Sequence, residues 1–527
     1  METPQVVPPA ISLIQQEREL FDVLLRTIKE GNLTTTLRVA GGWVRDKILG
    51  RENHDIDIAV DNMTGAQFAH LVNANLTQHG VPTKDVAVIA ANPEQSKHLE
   101  TARAKFLGIE VDLVNLRAET YADSRIPTVR MGTPLEDAQR RDLTINSLFY
   151  NINTGQVEDQ TGMGLADLRA GLIRTPLPPM QTLLDDPLRA LRAIRFAARF
   201  GFPMAEELRA ALCDSRVKDA LLTKISRERV GAELTGILEG PAPVLGFHHI
   251  LDNGLADVVF VLPQGRLWSE AERRFGLRVA ELIDPMTPRL AQPDTWVRSS
   301  VLLAALLSPF ASQTFPAHKG RQLPVGRDVV RERLQLRARE ADLVAHLHTD
   351  AIRLAGIVTG CATGPFERVP VGMALRAMGE HWHHALDLAR CMEVAQLETG
   401  MVVLPPGAPG RPLEGLMSPA EAPAQRAPCV AQYEAFAQRV AAEGLGHVYD
   451  LKHLLDGQRL CQELAIGPGR AVGELLEREM EWQIAHPGED EAAFRAWLQD
   501  EGAQLVGRAR QQQPPRRTTK PMTVDRG

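Results

Sequence analysis

Residues 39–60 read VAGGWVRDKILGRENHDIDIAV, and this stretch decides the fold. Asp55 and Asp57 alternate there with apolar residues, as in a strand that has one buried face. Side chains two residues apart in a strand point to the same face, so these two like charges repel each other. A divalent cation relieves the repulsion, and Mg²⁺ prefers a few carboxylates together with phosphate oxygens. The pair therefore predicts a magnesium site, although on its own it equally fits a solvated strand face.

A glycine turn precedes the carboxylate pair and strengthens this prediction. Gly41 and Gly42 lack side chains, so the backbone there can approach a triphosphate closely. Arg45 follows within the same motif. The combination of glycines, arginine and paired carboxylates favours a phosphoryl-transfer site over a solvated strand face.

The composition is that of an ordinary globular chain with several domains. Its 527 residues exceed what one hydrophobic core organises. With 24% charged and 44% hydrophobic residues and a formal net charge of −7, any nucleic-acid-binding groove must be locally basic. The five cysteines form no Cys-x-x-Cys pair, which argues against a zinc module or a disulfide framework and fits a reducing compartment. No apolar run approaches the roughly 18 residues of a membrane span.

The predicted elements indicate an α/β block followed by helices. Strands are expected at residues 37–40, 56–60, 85–90, 109–116 and 148–152, with helical segments such as 64–79 between them. After about residue 181 the strand signals end. Helices are expected from there on at 183–200, 206–215, 227–238, 244–251, 267–283, 295–307, 329–347 and 370–397. Residues 404–428 are rich in Pro, Gly and Ala and predict a linker, and 430–498 predict further helices.

A second cluster, RRDLTIN at residues 140–146, offers groups that suit a nucleotide. Arg141 can bind phosphate bidentately. Asp142 and Asn146 are four residues apart, which predicts that they share one helix face and can hydrogen-bond a ribose. The alternative is an exposed helix start with an ion pair, and this segment alone favours that alternative.

A third cluster, LDDPLR at residues 184–189, resembles a helix start. Asp186 is expected as the N-cap with Pro187 as the first helical residue, and Arg189 lies on the same side. Cytosine and adenine both present an amino group beside an acceptor ring nitrogen, which a carboxylate and a guanidinium match. Uracil and guanine place a carbonyl where that amine should be. Taken alone, the segment is better explained by a capped helix with a salt bridge. A basic flank suited to phosphates follows at Arg192, Arg195 and Arg199.

In their order, these motifs resemble those of class II tRNA nucleotidyltransferases, the CCA-adding enzymes of the poly(A) polymerase superfamily, in their eukaryotic branch. The resemblance is carried by GGWVRD with DID, RRDLTINSLF, EDQTGMGLADLRAGLIRT, DDPLRALRAIRFAARFGF and ISRERVGAEL. The segment NPEQSKHLETARAKFLGIEVDLVNLRAETY resembles the eukaryotic CCA enzymes more than bacterial poly(A) polymerases. The likeness is strong from about residue 11 to residue 242 and looser to residue 498.

The resemblance implies an α/β nucleotidyltransferase head with a mixed sheet, followed by all-α neck, body and tail domains. The head is expected at residues 1–175 and a neck with the nucleotide-selecting motif at 176–245. A body with the Pro-rich linker at 404–428 is expected at 246–428, and a tRNA-binding tail at 429–507. Residues 508–527 are expected to be disordered.

The resemblance also implies roles for individual residues. Asp55 and Asp57 would be the catalytic metal ligands in a two-metal Mg²⁺ mechanism. The nucleotide-binding set would be Gly41, Gly42 and Arg45 at the triphosphate, Arg141, Asp142 and Asn146 at the ribose and phosphates, Asp186 and Arg189 as the template for CTP and ATP, with Arg192 and Arg195 beside them.

Four further residues carry weaker implications. Many relatives have Glu where this chain has Asp185, so a direct role for this shorter side chain is doubtful. Glu228 and Arg229 match a motif that would buttress the template helix. Asp112 would be either a third active-site carboxylate or a structural residue.

The implied activity is template-independent addition of C, C and A to the 3′ end of tRNA, from CTP and ATP, with release of pyrophosphate. The alternatives are a poly(A) polymerase or a partial CC- or A-adding enzyme, which the SKHLETA segment disfavours, and a non-catalytic RNA-binding relative, which intact Asp55 and Asp57 disfavour. Expected partners are tRNA, CTP and ATP, with no membrane and no obligate protein partner. The expected location is cytoplasmic or nuclear, with a mitochondrial pool through an alternative start.

Overall fold

The computed structural model describes residues 10–89, 101–121, 127–287, 295–317, 320–403 and 422–500. The expected disordered tail, most of the Pro-rich linker and most of the SKHLETA segment lie outside the described residues. The chain forms two compact units. The first comprises residues 1–273, 291–299 and 328–340, and the second comprises 274–290, 300–327 and 341–527. The finer division into head, neck, body and tail stays a prediction.

A seven-stranded mixed sheet organises the first unit, as predicted for the head. The strands of this unit are β1 (Leu37–Ala40), β2 (Ile56–Val60), β3 (Ala87–Ile89), β4 (Thr101–Phe106), β5 (Ile109–Asn115), β6 (Arg117–Thr120), β7 (Thr128–Met131), β8 (Phe149–Asn151) and β9 (Gln156–Glu158). The order in the sheet is β3-β4-β5-β2-β1-β8-β9, and β6 pairs with β7 in a separate hairpin. Strands β2 and β5 are parallel, whereas the other neighbours are antiparallel.

Strand β2 lies in the middle of this sheet because nearly all of its side chains are apolar and buried. Ile56, Ile58, Ala59 and Val60 are each at most 3% exposed. The strand pairs with β1 on one side and β5 on the other, so its backbone is fixed by hydrogen bonds along both edges. Asp57 is the one charged residue within it, and its position is therefore set by the centre of the sheet.

Among the described residues, the helices before residue 260 all lie in the first unit. They are α1 (Gln15–Glu30), α2 (Gly42–Ile48), α3 (Gly65–Gln78), α4 (Pro134–Gln139), α5 (Gly164–Ala170), α6 (Pro179–Asp185), α7 (Arg189–Phe200), α8 (Glu206–Cys213), α9 (Ser215–Lys224), α10 (Arg227–Leu238), α11 (Pro243–Asp252) and α12 (Ala256–Val259). Local chemistry sets several of the starts. The Thr64 hydroxyl accepts from the Gln67 N–H, and the Gln67 side chain accepts from the Thr64 N–H, which is a capping box that begins α3.

The remainder of the described chain is almost entirely helical. Its helices are α13 (Glu270–Ile283), α14 (Thr295–Leu306), α15 (Val325–Asp328), α16 (Ala338–Thr363), α17 (Arg368–Met378), α18 (Trp382–Thr399), α19 (Ala422–Ala442), α20 (Gly457–Leu464), α21 (Arg470–Ala485) and α22 (Glu491–Gln499). Near the C-terminal end of the second unit, Trp482, Phe494, Leu455 and Leu460 are buried in one apolar cluster. In the part of the chain that the structure describes, no helix has both the length and the apolar character that crossing a membrane requires.

The strand predictions were right in kind but incomplete. All five predicted strands are present, whereas β4, β6, β7 and β9 were missed. Strand β4 reads TARAKF, whose Ala, Arg and Lys have weak strand preferences, and it is extended because it pairs with both β3 and β5. The expectation that strands end after residue 181 was also wrong in one place. A two-stranded hairpin joins β10 (Thr314–Pro316) to β11 (Gln322–Pro324).

Three predicted long helices are interrupted. The helix expected at 183–200 divides into α6 and α7, because Pro187 pushes Asp186 into an extended conformation with φ −135°. The helix expected at 329–347 is a π-helical turn, Val329–Arg333, followed by Gln335 at φ 54° and then by α16. The helix expected at 370–397 breaks at Gly379, whose φ is +77°. Conversely, the last residues of the predicted linker are helical, since α19 begins at Ala422.

Candidate active site

A polar cavity of about 960 Å³ in the first unit collects most of the residues singled out from the sequence. The predicted residues that line it are Gly42, Arg45, Asp55, Asp57, Arg141, Asp142, Asn146, Asp186, Arg189 and Arg192. Gly41 and Arg195 are not among the lining residues, but each contacts a residue that is. The structure therefore brings three separate sequence motifs to one site.

The glycine turn lies at the end of β1, where α2 begins. Gly41 has φ +66°, a left-handed conformation that side chains disfavour, and its N–H donates to the Leu148 carbonyl at 2.9 Å. A Cβ atom on Gly41 would lie 2.7 Å from Nη1 of Arg141. The backbone conformation therefore favours glycine at this position, and a side chain there would also displace the Arg141 guanidinium.

The carboxylate pair stands at the entry of β2. Asp55 is exposed, and Asn53 accepts a hydrogen bond from its backbone N–H at 2.9 Å. Asp57 is partly buried, and burial first, then repulsion from Asp55, raise the pKa of Asp57 from 3.8 to about 6, although Arg141 opposes the shift. Such a pair fits a hard divalent cation. Among the described residues no group of three or more acidic, histidine or cysteine side chains is placed to hold a metal ion.

Asp112 lies beside Asp57 in the register of β2 and β5. Its two carboxylate oxygens accept hydrogen bonds from Nε and Nη2 of Arg103, both at 2.8 Å. Asp112 does not line the cavity. The charge of Asp112 also contributes to the raised pKa of Asp57, so Asp112 lies close to the carboxylate pair although Arg103 holds its oxygens. The structural role and the role of a third metal ligand both stay predictions.

The RRDLTIN segment is not an α-helix, so the predicted shared helix face is wrong. Thr144–Asn146 form a single 3₁₀ turn. The turn nevertheless brings the two polar side chains together, since Asn146 Nδ2 donates to Asp142 Oδ1 at 3.0 Å. Asp142 is buried, which alone would raise its pKa, but the ion pair with Arg192 at 2.7 Å and the Asn146 hydrogen bond hold that pKa at about 2. Asp142 is therefore ionised throughout the physiological range.

Asp186 and Arg189 face the cavity, but Asp186 does not cap α7. It ends α6, and its Oδ1 accepts from the Leu188 N–H at 3.2 Å before α7 begins at Arg189. Oδ2 of Asp186 accepts from Arg229 at 3.4 Å, which supports the buttressing role expected for Arg229. Asp185 is the last residue of α6 and does not line the cavity.

Residues that the sequence did not single out hold Arg189 in place. Its Nη2 donates to the Arg140 carbonyl at 2.6 Å and to the Tyr121 hydroxyl at 3.4 Å, and Glu119 lies 3.9 Å away. The Tyr121 contact spans 68 residues of sequence, so no local pattern predicts it. Arg189 is thereby positioned before any base is bound.

The basic flank of α7 is already paired with acids. Arg192 contacts both Asp142 and Glu233, and Arg195 donates to Glu233 at 2.7 Å. Arg199 lies 3.9 Å from Asp46. A phosphate that bound to these arginines would therefore compete with carboxylates that hold them in this structure.

Comparison with known proteins defines the class. Residues 37–174 match the Poly A polymerase head domain, and residues 201–266 match the probable RNA and SrmB-binding site of polymerase A. Both matched segments lie in the first unit. The fold is that of a polymerase-family nucleotidyltransferase.

Full-length relatives narrow the class. The chain is 34% identical over 490 residues to the mitochondrial CCA tRNA nucleotidyltransferase of Saccharomyces cerevisiae, covering 86% of this chain and 85% of that protein. It is 31% identical over 515 residues to a tRNA nucleotidyltransferase of Schizosaccharomyces pombe, with 94% and 98% covered. The fold resembles that of a Thermotoga maritima CCA-adding enzyme complexed with tRNA, with a TM-score of 0.58 and 20% identity over 93% of this chain and 96% of that one. The chain belongs to the CCA tRNA nucleotidyltransferase family.

The carboxylate pair generates a stability prediction. Because the pKa of Asp57 is about 6 in the folded protein and 3.8 ordinarily, the folded state binds the extra proton between these values and loses stability as pH rises through them. Without added metal at pH 7.5, Asp57→Asn should therefore raise the free energy of unfolding by roughly 3 kcal/mol. Denaturant unfolding measures this.

Asp55→Asn is the matched control. It removes the repulsion but leaves Asp57 buried and charged, so it should stabilise the protein less than Asp57→Asn does. If Asp57→Asn destabilises the metal-free protein at pH 7.5, the electrostatic description of the pair is wrong.

Proposed function

We propose that this protein adds C, C and A to the 3′ end of tRNA without a nucleic-acid template, using CTP and ATP and releasing pyrophosphate. One observation carries the proposal. A single cavity holds a carboxylate pair, a glycine turn and a carboxylate–guanidinium pair suited to cytosine and adenine. The family relatives, which are named CCA tRNA nucleotidyltransferases, support the same reaction.

The chemistry follows from the arrangement of the chain's own groups. The terminal hydroxyl of the RNA attacks the α-phosphate of the nucleotide, and the bond to pyrophosphate breaks. The backbone of the Gly41–Gly42 turn leaves room for the triphosphate, and Arg141 stands directly beside that turn. We propose that Asp55 and Asp57 hold Mg²⁺, which when bound activates the hydroxyl and neutralises the leaving group.

Base selection is proposed to reside in Asp186 and Arg189. The carboxylate accepts from the exocyclic amine that cytosine and adenine share, and the guanidinium donates to the neighbouring ring nitrogen. Arg189 is held by the Arg140 carbonyl and by Tyr121, so its donors point in a defined direction. Uracil and guanine would set a carbonyl against the Asp186 carboxylate, which leaves both acceptors without a donor.

The main alternatives differ in their products. A poly(A) polymerase would extend any RNA with ATP alone, a partial enzyme would stop after CC or add only A, and a non-catalytic relative would add nothing. Purified protein incubated with tRNA that ends before CCA, with single and mixed nucleotides, separates all of them once the products are sequenced. The proposal requires that CTP and ATP together yield complete CCA ends.

Loss of either carboxylate should stop both C and A addition while tRNA binding is retained, because one cation site serves every cycle. The variants are Asp55→Ala and Asp57→Ala, and the measurement is incorporation of each nucleotide with Mg²⁺. Asp112→Asn is the companion variant, and a structural Asp112 predicts substantial remaining activity. Near-normal incorporation by Asp55→Ala or Asp57→Ala would show that the cation site is misassigned.

Removal of the Asp186 carboxylate should relax the choice of base. A good bidentate base contact is worth about 1–3 kcal/mol, so UTP and GTP should gain roughly ten- to a hundredfold relative to CTP and ATP in Asp186→Ala, even as the total rate drops. The measurement is kcat/KM for all four nucleotides. Asp185→Ala is the matched control, since Asp185 is adjacent but outside the cavity. An equal decrease of kcat/KM for all four nucleotides in Asp186→Ala would mean that this residue has only a structural role.

We propose that tRNA binds along the C-terminal part of the chain, including residues 429–507, through local arginines. Because phosphate contacts release counterions, the affinity for tRNA should fall steeply between about 50 and 200 mM salt. Filter binding or fluorescence anisotropy at several salt concentrations measures the slope. An affinity that stays flat over this range would contradict electrostatic binding of tRNA.

The cellular location is proposed from the relatives. The Saccharomyces cerevisiae and Candida glabrata proteins are named mitochondrial enzymes. This supports a mitochondrial pool of the present protein beside the cytoplasmic or nuclear one expected from the sequence.

A further inference from the structure

The guanidinium of Arg45 is almost fully occupied by protein groups. Its Nε and Nη2 each donate to the Asp46 carboxylate at 2.8 Å, and its Nη1 donates to Oδ1 of Asn146. The side chain is buried. Because a guanidinium binds phosphate best through a free edge with two parallel donors, this arrangement leaves Arg45 poorly disposed to hold a triphosphate.

Aromatic rings from α7 cover the guanidinium of Arg45. The centre of its guanidinium lies 5.1 Å from the Phe196 ring centroid and 4.9 Å from that of Phe200. The two rings stack on each other at 5.9 Å with an interplanar angle of 9°. In the described part of the chain, Arg45 is the one guanidinium that contacts both rings, since the others lie against Phe196 alone or Phe200 alone.

A second set of contacts joins α7 to the same guanidinium. Arg192 of α7 pairs with Asp142, and Asn146 donates to Asp142 while accepting from Arg45. These contacts form a closed circuit. One ion pair joins α7 to Asp142, and the contacts of Arg45 with two aromatic rings join the circuit to α7 again. Arg45, Asp142 and Asn146 are buried, so solvent screens the contacts among them little. The Arg192 side chain is 35% exposed, so its ion pair with Asp142 is screened more.

We propose that Arg45 is a positioning residue that couples the nucleotide-selecting helix α7 to the glycine turn, with Phe196 and Phe200 as its partners. This rests on the proposed function, because α7 begins at the base-selecting Arg189 and α2 begins at the glycine turn. A base that hydrogen-bonds to Asp186 and Arg189 fixes the position of α7. Because Arg45 contacts α7 through Phe196 and Phe200, the position of α7 then fixes the position of the glycine turn beside the triphosphate. A mismatched base displaces α7 and misplaces the turn.

The experiment compares Phe196→Leu, Phe200→Leu and Arg45→Lys, alone and in pairs. The equilibrium Kd values for CTP, UTP and inorganic tripolyphosphate are measured by calorimetry, and kcat and KM for C addition by incorporation into tRNA. Each Phe variant should narrow the preference for CTP over UTP by roughly three- to tenfold and lower kcat. The Kd for tripolyphosphate should change by less than about twofold. Arg45→Lys keeps the charge but loses the planar guanidinium. Its effect on the preference for CTP over UTP should therefore be strongly non-additive with the effect of either Phe variant.

Phe202→Leu is the matched control. Its ring centroid lies 5.4 Å from that of Phe200 at an interplanar angle of 35°, and in the described residues no guanidinium lies against it, so the CTP preference should stay at the wild-type value. The melting temperature of each variant separates lost stability from lost coupling, because lower stability alone does not alter a ratio of two nucleotide affinities.

Three results would overturn the coupling. One is a wild-type CTP preference in both Phe variants. Another is that the effects of Arg45→Lys and of each Phe variant on the preference for CTP over UTP add up in the double variants. The third is a Kd for tripolyphosphate that rises more than about tenfold in Arg45→Lys, which would make Arg45 a phosphate ligand. Failure of the proposed function is distinct, because the wild-type protein would then not complete CCA ends on tRNA, while the binding measurements would still test the coupling.

Discussion

The central sheet of the first unit holds the carboxylate of Asp57 in a position where burial and repulsion from Asp55 disfavour its charged form. Asp57 lies within the central strand of a seven-stranded sheet, and burial together with Asp55 raises its pKa to about 6. The strand cannot move it outward, because β1 and β5 fix the backbone on both sides and the neighbouring residues are apolar and buried. A bound cation would relieve the repulsion between the two carboxylates, so the electrostatic cost of the metal-free site favours cation binding.

Around this pair the positive charges are arranged in advance. Arg141 is held by Asp137 at 2.8 Å, Arg192 by Asp142, and Arg189 by backbone and hydroxyl oxygens. Arginines with fixed partners lose little side-chain freedom when a nucleotide arrives. The cavity is therefore preorganised, although each arginine that contacts a phosphate must share or exchange a carboxylate.

Local sequence patterns predicted the parts of the site that are local. The alternation in DIDIAV predicted the strand that holds Asp57, with Asp55 directly before it, and the glycine pair indicated a turn that the structure forms at Gly41. Contacts between distant segments were not predictable in this way. The Arg45–Asn146 hydrogen bond spans 101 residues and the Arg189–Tyr121 bond spans 68. The break at Asp186 had a local signal in Pro187. The sequence analysis interpreted Pro187 as the first residue of a helix, whereas it lies between the end of α6 and the start of α7.

The most direct test of this account is the number of protons released when Mg²⁺ binds in the presence of CTP. Calorimetry in buffers with different ionisation enthalpies gives that number for the wild type and for Asp57→Asn. Because the pKa of Asp57 is about 6, the wild type should release about half a proton more than the variant at pH 6 and almost none at pH 8. Equal proton release by the two proteins at pH 6 would contradict the assignment of the cation to this carboxylate pair.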